Sequence, residues 1–215
     1  VMTGDGNGRV RIAMIGTGGI TGAHARGLLA HADKAVCTAL CDVSEANRKA
    51  RGDQLGGVKL QFADWRRMLA EAGDAFDAVL IALPHHLHAP AILDAAKAGK
   101  HILCEKPMCM SLAEAARIGA AVKKAGVIYM SAHNQLFLPV VQEAKRMIGG
   151  GELGRIIWLR SQDCFQAGVA GFKGKWRAKR KFQGGGELID TGYHPTYRLL
   201  HLAGAPVAAV RGSMG

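Results

Sequence analysis

Between residues 10 and 131, short apolar, β-rich runs alternate with Ala- and Leu-rich stretches of helical period. No other feature constrains the fold as tightly, because strands that alternate with helices build a parallel sheet through right-handed crossovers. Val10-Arg-Ile-Ala-Met-Ile15 reads as a first strand that runs into a glycine cluster. Further strands are expected at 35–41, 60–62, 78–83, 101–104 and 127–131. Helices are expected at 20–31, 44–55, from 64 onward, between the fourth and fifth strands, and at 111–124. The fully apolar run Ala78-Val-Leu-Ile-Ala-Leu83 marks a strand covered on both faces. After about residue 135 the rhythm changes. A helix at 140–148 leads to Gly149-Gly-Gly151, a long one-faced strand at 155–165, a basic Gly-rich segment, a helix at 186–202 and a β-like run at 206–210. The fold class is α/β, a doubly wound parallel sheet followed by a smaller, partial α+β unit.

The 215 residues are 49% hydrophobic, which provides for a sizeable core and excludes a disordered chain. No run approaches the roughly 20 apolar residues of a membrane-spanning helix. Residues 1–8 are polar and Gly-rich without the apolar stretch of a secretory signal, and Val1 before Met2 reads as a remnant or an alternative start. A soluble cytoplasmic protein is expected. Net charge is +11, but Lys173, Lys175, Arg177, Lys179, Arg180 and Lys181 place six of those charges in nine residues, interleaved with Phe172, Trp176 and Phe182. A basic loop beside an anionic ligand accounts for this at least as well as nucleic acid does, and no nucleic-acid partner is expected. Cys37, Cys41, Cys104, Cys109 and Cys164 form no C-x-x-C pair, and the first three sit in apolar strand-like runs, as reduced buried thiols do.

Ile15-Gly16-Thr17-Gly18-Gly19-Ile20-Thr21-Gly22 lies between the first strand and the first helix. A dinucleotide site needs glycine there: Gly16 for the tight turn, Gly18 so that the backbone can approach a pyrophosphate at a helix N-terminus. The third fingerprint position is Thr21 rather than Gly or Ala, so the turn alone is also compatible with a plain glycine-rich strand-to-helix connection. Asp42 adds weight. It closes the second strand 24 residues after Gly18, where a carboxylate accepts hydrogen bonds from the adenosine ribose. Its charge repels a 2′-phosphate, which favours NAD over NADP, and Arg48 one helical turn on partly offsets that. Ser44, rather than Asp42, is the better placed cap for the second helix.

Pro84-His85-His86-Leu87-His88 falls at the end of the fourth strand, on the carboxyl edge where open α/β sheets bind ligands. Three histidines suggest a metal, but no carboxylate ligand is nearby and no metal is expected. Cys104-Glu105-Lys106-Pro107 closes the fifth strand on the same edge. With these residues in place the chain resembles the glucose–fructose oxidoreductase / inositol dehydrogenase / rhizopine-catabolism (Gfo/Idh/MocA) family of NAD(P)-dependent oxidoreductases. The matching text is Ala98-Gly-Lys-His-Ile-Leu-Cys-Glu-Lys-Pro107, with Gly16-Thr-Gly-Gly-Ile20, His85-His-Leu-His88 and Gly150-Gly-Glu-Leu-Gly-Arg-Ile156.

The resemblance implies a Rossmann cofactor domain over residues 1–135 and a partial open-faced-sheet domain, for substrate and oligomerisation, over 136–215. It also implies a cis peptide before Pro107. Gly184-Gly-Gly-Glu-Leu-Ile-Asp190-Thr-Gly-Tyr-His194 matches the family's second signature, and i, i+4 spacing sets Asp190 and His194 on one helix face. Lys106, Asp190 and His194 are then the expected catalytic residues. His194 takes the hydroxyl proton, Lys106 stabilises the alkoxide, and Asp190 orients substrate and stabilises the imidazolium. Cofactor contacts are expected from Gly16, Thr17, Gly18, Gly19, Ile20, Asp42, Pro84, His85, His88, Glu105, Lys106 and Asn134, with Trp176 and Arg177 reaching back from the second domain. The implied activity is hydride transfer from a secondary hydroxyl of a sugar, cyclitol or polyol to NAD, with NADP as the alternative cofactor. Rival readings are a redox-neutral NAD-retaining lyase or glycosidase and a non-enzymatic NAD-binding sugar sensor. Family members run longer, so half a substrate domain is expected here, completed by further chain or a partner, with a homodimer or homotetramer in the full-length protein.

Overall fold

The computed structural model describes residues 4–164 and 174–213. Among them β1 (Val10–Ile15), β2 (Ala35–Cys41), β3 (Leu60–Phe62), β4 (Ala78–Ile81), β5 (His101–Cys104) and β6 (Tyr129–Ser131) form one sheet, ordered β3-β2-β1-β4-β5-β6. Every pairing is parallel. The connecting helices are α1 (Thr21–Ala30), α2 (Glu45–Gln54), α3 (Trp65–Glu71), α4 (His88–Lys97) and α5 (Leu112–Ala125). The order reverses direction between β1 and β4, which makes their carboxyl ends the topological switch point.

Strand side chains alternate between two cores. Ala13, Ile15, Cys41, Val79, Ile81 and Cys104 pack on one face, whereas Met14, Leu40 and Leu80 pack on the other. That double covering is why β4 is apolar at consecutive positions. Each fully buried Ile or Leu contributes about 1.5–3 kcal/mol of transfer free energy. Ser44 caps α2 by accepting from the Asn47 amide at 3.2 Å, as expected, and Asp64 and Ser111 cap α3 and α5 in the same way.

The second part is helical among the described residues: α6 (Pro139–Gly149), α7 (Arg180–Gln183), α8 (Glu187–Asp190) and α9 (Tyr193–Ala203). Three expectations need correction. The described part of 155–165 forms no strand, and Phe165 lies outside the described residues. The run at 206–210 likewise forms no strand among the described residues. A strand exists through its ladder, and period-two alternation cannot supply the partner. Arg198 on α9 instead fastens this segment through Ser161 (3.0 Å) and Asp163. Finally, the helix expected at 186–202 is broken into α8 and α9. Pro195 has no N–H for the Thr191 carbonyl and its ring crowds that carbonyl, so the helix restarts at Tyr193. Gly192 fills the break, where a Cβ would lie 2.8 Å from the Leu188 carbonyl oxygen.

Candidate active site

The ladder continues one residue beyond each strand and delivers the site in register. Gly16 N–H donates to Cys41 O, Ala82 to Ile15, Glu105 to Ile81 and Ala132 to Cys104, each at 2.8 Å. Above these ends lies a cavity of about 670 Å³. Gly16, Gly18, Gly19, Ile20, Asp42, Pro84, His85, His88, Glu105, Lys106, Asn134, Trp176, Arg177 and His194 all line it. Thr17 and Asp190 do not line it, but each hydrogen-bonds to a residue that does, Asp42 and Lys106 respectively.

The glycine turn divides its labour. Gly16 has φ +89° and a Cβ there would lie 2.4 Å from the Ala82 carbonyl oxygen, so only glycine lets β1 and β4 meet. A Cβ on Gly18 or Gly19 meets nothing within 4 Å, which leaves the backbone over α1 open to a ligand. Thr17 contributes its amide, which donates to Asp42 Oδ2 at 2.7 Å, while Asp42 Oδ1 accepts from Ser44 N at 2.9 Å. Each carboxylate oxygen keeps a lone pair for a ribose hydroxyl. An open glycine turn at a helix N-terminus, a carboxylate at the β2 end and a cavity spanning both fit a dinucleotide.

At the other end the Lys106–Pro107 peptide is cis. Lys106 Nζ donates to Asp190 Oδ1 at 2.9 Å and to the Asp190 carbonyl at 2.8 Å. Arg177 Nε donates to Asp190 Oδ2 at 3.1 Å, and His85 Nε2 lies 3.8 Å from Oδ1. Burial raises the Asp190 pKa, but the Lys106 hydrogen bond and charge, with Arg177 and His85, outweigh it and hold the carboxyl below its usual range. Asp190 is therefore engaged with two cations rather than with His194, contrary to the imidazolium role expected for it. Glu105 accepts from His24 Nε2 at 2.8 Å, and that bond and charge overcome burial to keep its pKa low.

His194 lines the cavity on α9 with Nδ1 2.7 Å from the Tyr197 hydroxyl. Burial and then the Lys106 charge push its pKa down, so it is neutral near pH 7. His85 and His88 are buried. His85 Nδ1 faces the Gln183 carbonyl at 2.8 Å, and its ring meets Trp176 edge-on at 4.8 Å. His88 places both nitrogens against carbonyls, Pro107 at 2.7 Å and Leu83 at 2.8 Å. Its ring thus ties the end of β4 to the Lys106–Pro107 turn. His86 packs on Phe182 at 4.6 Å, so the three histidines do not converge.

Of the basic stretch, Arg177 reaches the cavity, Lys181 lies over Phe182 at 4.7 Å, and Lys173 falls outside the described residues. Sequence reasoning missed Tyr197, His24, Asp64 and Arg66. Tyr197 was within reach of it, since i, i+3 spacing on one helix puts it beside His194. Asp64, the N-cap of α3, and Arg66, in its first turn, also line the cavity that Asp42 lines, and no motif marked them.

A doubly wound sheet with an open glycine turn at its switch point defines the dinucleotide-binding class. Residues 10–133 match the family model described as "Oxidoreductase family, NAD-binding Rossmann fold", and residues 141–215 match the GFO/IDH/MocA C-terminal domain. The chain belongs to the Gfo/Idh/MocA oxidoreductase family, as its motifs suggested. It is 33% identical over 167 residues to levoglucosan dehydrogenase of Pseudarthrobacter phenanthrenivorans, covering 75% of this chain and 42% of that protein. It is 30% identical over 204 residues to scyllo-inositol 2-dehydrogenase (NAD(+)) of Bacillus subtilis, covering 95% and 57%. Among solved structures, the WlbA dehydrogenase of Bordetella pertussis, in complex with NADH and UDP-GlcNAcA, superposes with a TM-score of 0.78. That match has 26% identity and covers 91% of this chain and 60% of that one. The chain thus spans about half the length of the curated relatives it matches. No described helix is long and apolar enough to cross a membrane.

Proposed function

We propose that this chain belongs to an NAD-dependent dehydrogenase acting on a secondary hydroxyl of a sugar, cyclitol or related polyol. The carrying observation is Lys106, held by Asp190 at 2.9 Å, in one cavity with His194 and the open glycine turn. Gly18, Gly19 and Asp42 would hold the pyrophosphate and adenosine ribose of NAD, which when bound would supply the hydride acceptor. Neutral His194 takes the hydroxyl proton. Lys106 stabilises the charge developing on the same oxygen, and its orientation is set by Asp190. Arg177, shared with Asp190, offers a second cation to a polar or anionic substituent. The names of the relatives, levoglucosan and inositol dehydrogenases, support this substrate class. Retention of all three polar residues favours an enzyme over a sugar-sensing regulator, which needs no proton acceptor.

The proposed preference for NAD rests on Asp42, with Asp64 beside it, and the residues past 136 are assigned to substrate binding and to a homo-oligomer contact. The test is spectrophotometric: NADH formation at 340 nm over a panel of inositols, aldoses and anhydrosugars, assayed beside the Lys106→Ala variant. Stoichiometric NADH release supports a dehydrogenase. Substrate conversion without net NADH would move the assignment to a redox-neutral lyase, and binding without conversion to a sensor.

A further inference from the structure

The Tyr197 hydroxyl sits at the centre of three polar contacts. It is 2.7 Å from His194 Nδ1, 3.4 Å from Asn134 Oδ1, and accepts from the Gln135 backbone amide at 3.3 Å. A phenol oxygen has one proton to donate and two lone pairs to offer. The amide can only donate, so one lone pair is committed to Gln135. Asn134 Oδ1 can only accept, so the phenol proton belongs there. The remaining lone pair then faces His194 Nδ1, and the contact is a hydrogen bond only when Nδ1 carries the proton. The opposite tautomer would turn the phenol proton to Nδ1 and would require the Asn134 amide to flip, so that Nδ2 donates to the phenol in place of Oδ1. With Oδ1 at the phenol, one proton arrangement satisfies all three partners.

Tyr197 is also held in place. It is 6% exposed, stacked on His133 at 4.3 Å and 19°, and edge-on to Tyr193 at 5.9 Å. The phenol therefore cannot swing to another partner without repacking three rings. We propose that Tyr197 is a positioning residue that fixes His194 as the Nδ1–H tautomer, so that Nε2 presents its lone pair to the substrate hydroxyl proton. This rests on the reading of His194 as the proton acceptor, and it gives His194 the orienting partner that Asp190, bound to Lys106 and Arg177, does not supply. Such a role acts through the histidine, in the way that a second group sets which ring nitrogen carries the proton.

The test reads the tautomer directly, by 15N-imidazole NMR on the histidine-labelled chain at pH 7.5, with His194→Gln used to assign the resonance. The wild type should show a protonated Nδ1 and an unprotonated Nε2. In Tyr197→Phe the resonances should move towards the opposite tautomer or an average of the two. Asn134→Ala, which keeps the phenol but removes its acceptor, should do the same and serves if the phenylalanine variant fails to fold. With an active substrate in hand, Tyr197→Phe should lower kcat by about 10- to 100-fold with KM within about threefold. A wild-type spectrum with Nε2–H overturns the proposal whatever the enzyme does. An unchanged tautomer in both variants overturns it too. The expected spectra in a protein that turns over no polyol would instead count against the dehydrogenase reading and leave the tautomer assignment standing.

Discussion

Replacing Gly16 by alanine should damage the fold, whereas replacing Gly18 or Gly19 should damage only ligand binding. At Gly16, φ is +89° and the new Cβ would sit 2.4 Å from the Ala82 carbonyl oxygen and 2.8 Å from its carbon. Holding a non-glycine residue in that region costs about 1–2 kcal/mol. Relieving the clash means pulling β1 from β4, where Ala82 N–H donates to Ile15 O, and shifting Gly16, whose N–H donates to Cys41 O at the end of β2, both at 2.8 Å. Weakening these two buried bonds adds about 1–2 kcal/mol. The sum is about 3 kcal/mol, a large share of the roughly 5–15 kcal/mol that holds a domain together. It corresponds to a Tm lower by about 10 °C. At Gly18 and Gly19 the added methyl meets nothing within 4 Å, so stability should change by less than about 0.5 kcal/mol while a bound pyrophosphate is crowded. Urea unfolding followed by circular dichroism gives the first quantity, and NAD titration by calorimetry the second. Equal destabilisation by Gly16→Ala and Gly18→Ala would refute the division of roles, as would a Gly16→Ala protein of wild-type stability.

Asp42→Ala removes the carboxylate at the β2 end and should weaken NAD by about 10- to 100-fold, with much less effect on NADP. Tighter binding of NADP than NAD by the wild type, measured by titration, would overturn the NAD assignment. Lys106→Ala should reduce kcat by at least about 100-fold with the NAD dissociation constant within about threefold. Comparable losses in both would make Lys106 structural. Stability should fall on acidification: burial lowers the His85 pKa to about 4, so the unfolded chain, with a histidine pKa of about 6.5, binds the proton first. His85 should therefore contribute up to about 3 kcal/mol that is present above pH 6.5 and lost between pH 6.5 and 4. Urea unfolding at several pH values should show a shallower decline for His85→Gln than for the wild type.

Much of the first 135 residues was legible because the sheet is covered on both faces. A strand such as Ala78–Ile81 must be apolar at every position, and the glycine and proline punctuation at Gly16 and Pro84 falls where the ladder ends. Cap residues at Ser44 and Ser111 mark helix starts through a contact three residues away, a range that sequence spacing reports well. The segment at 155–165 was not legible in the same way. Its alternation describes how a strand would look if it were paired, but pairing is a property of the neighbour.

The site divides along the same line. Lys106 and His194 line one cavity, and Asp190 bonds to Lys106. The partnerships did not follow from spacing. Lys106 and Asp190 meet across 84 positions of chain, a contact set by the docking of α8 against the end of β5 rather than by any local rule. The i, i+4 argument placed Asp190 and His194 on one helix, yet Pro195 breaks that helix between them. The break separates their duties. Asp190, at the end of α8, turns to the two cations, and His194, in the first turn of α9, is left to find its partner on its own helix. That partner is Tyr197, one turn on, where helical geometry brings i and i+3 together. The break at Pro195 thus goes with Asp190 bonding to the lysine and His194 to Tyr197.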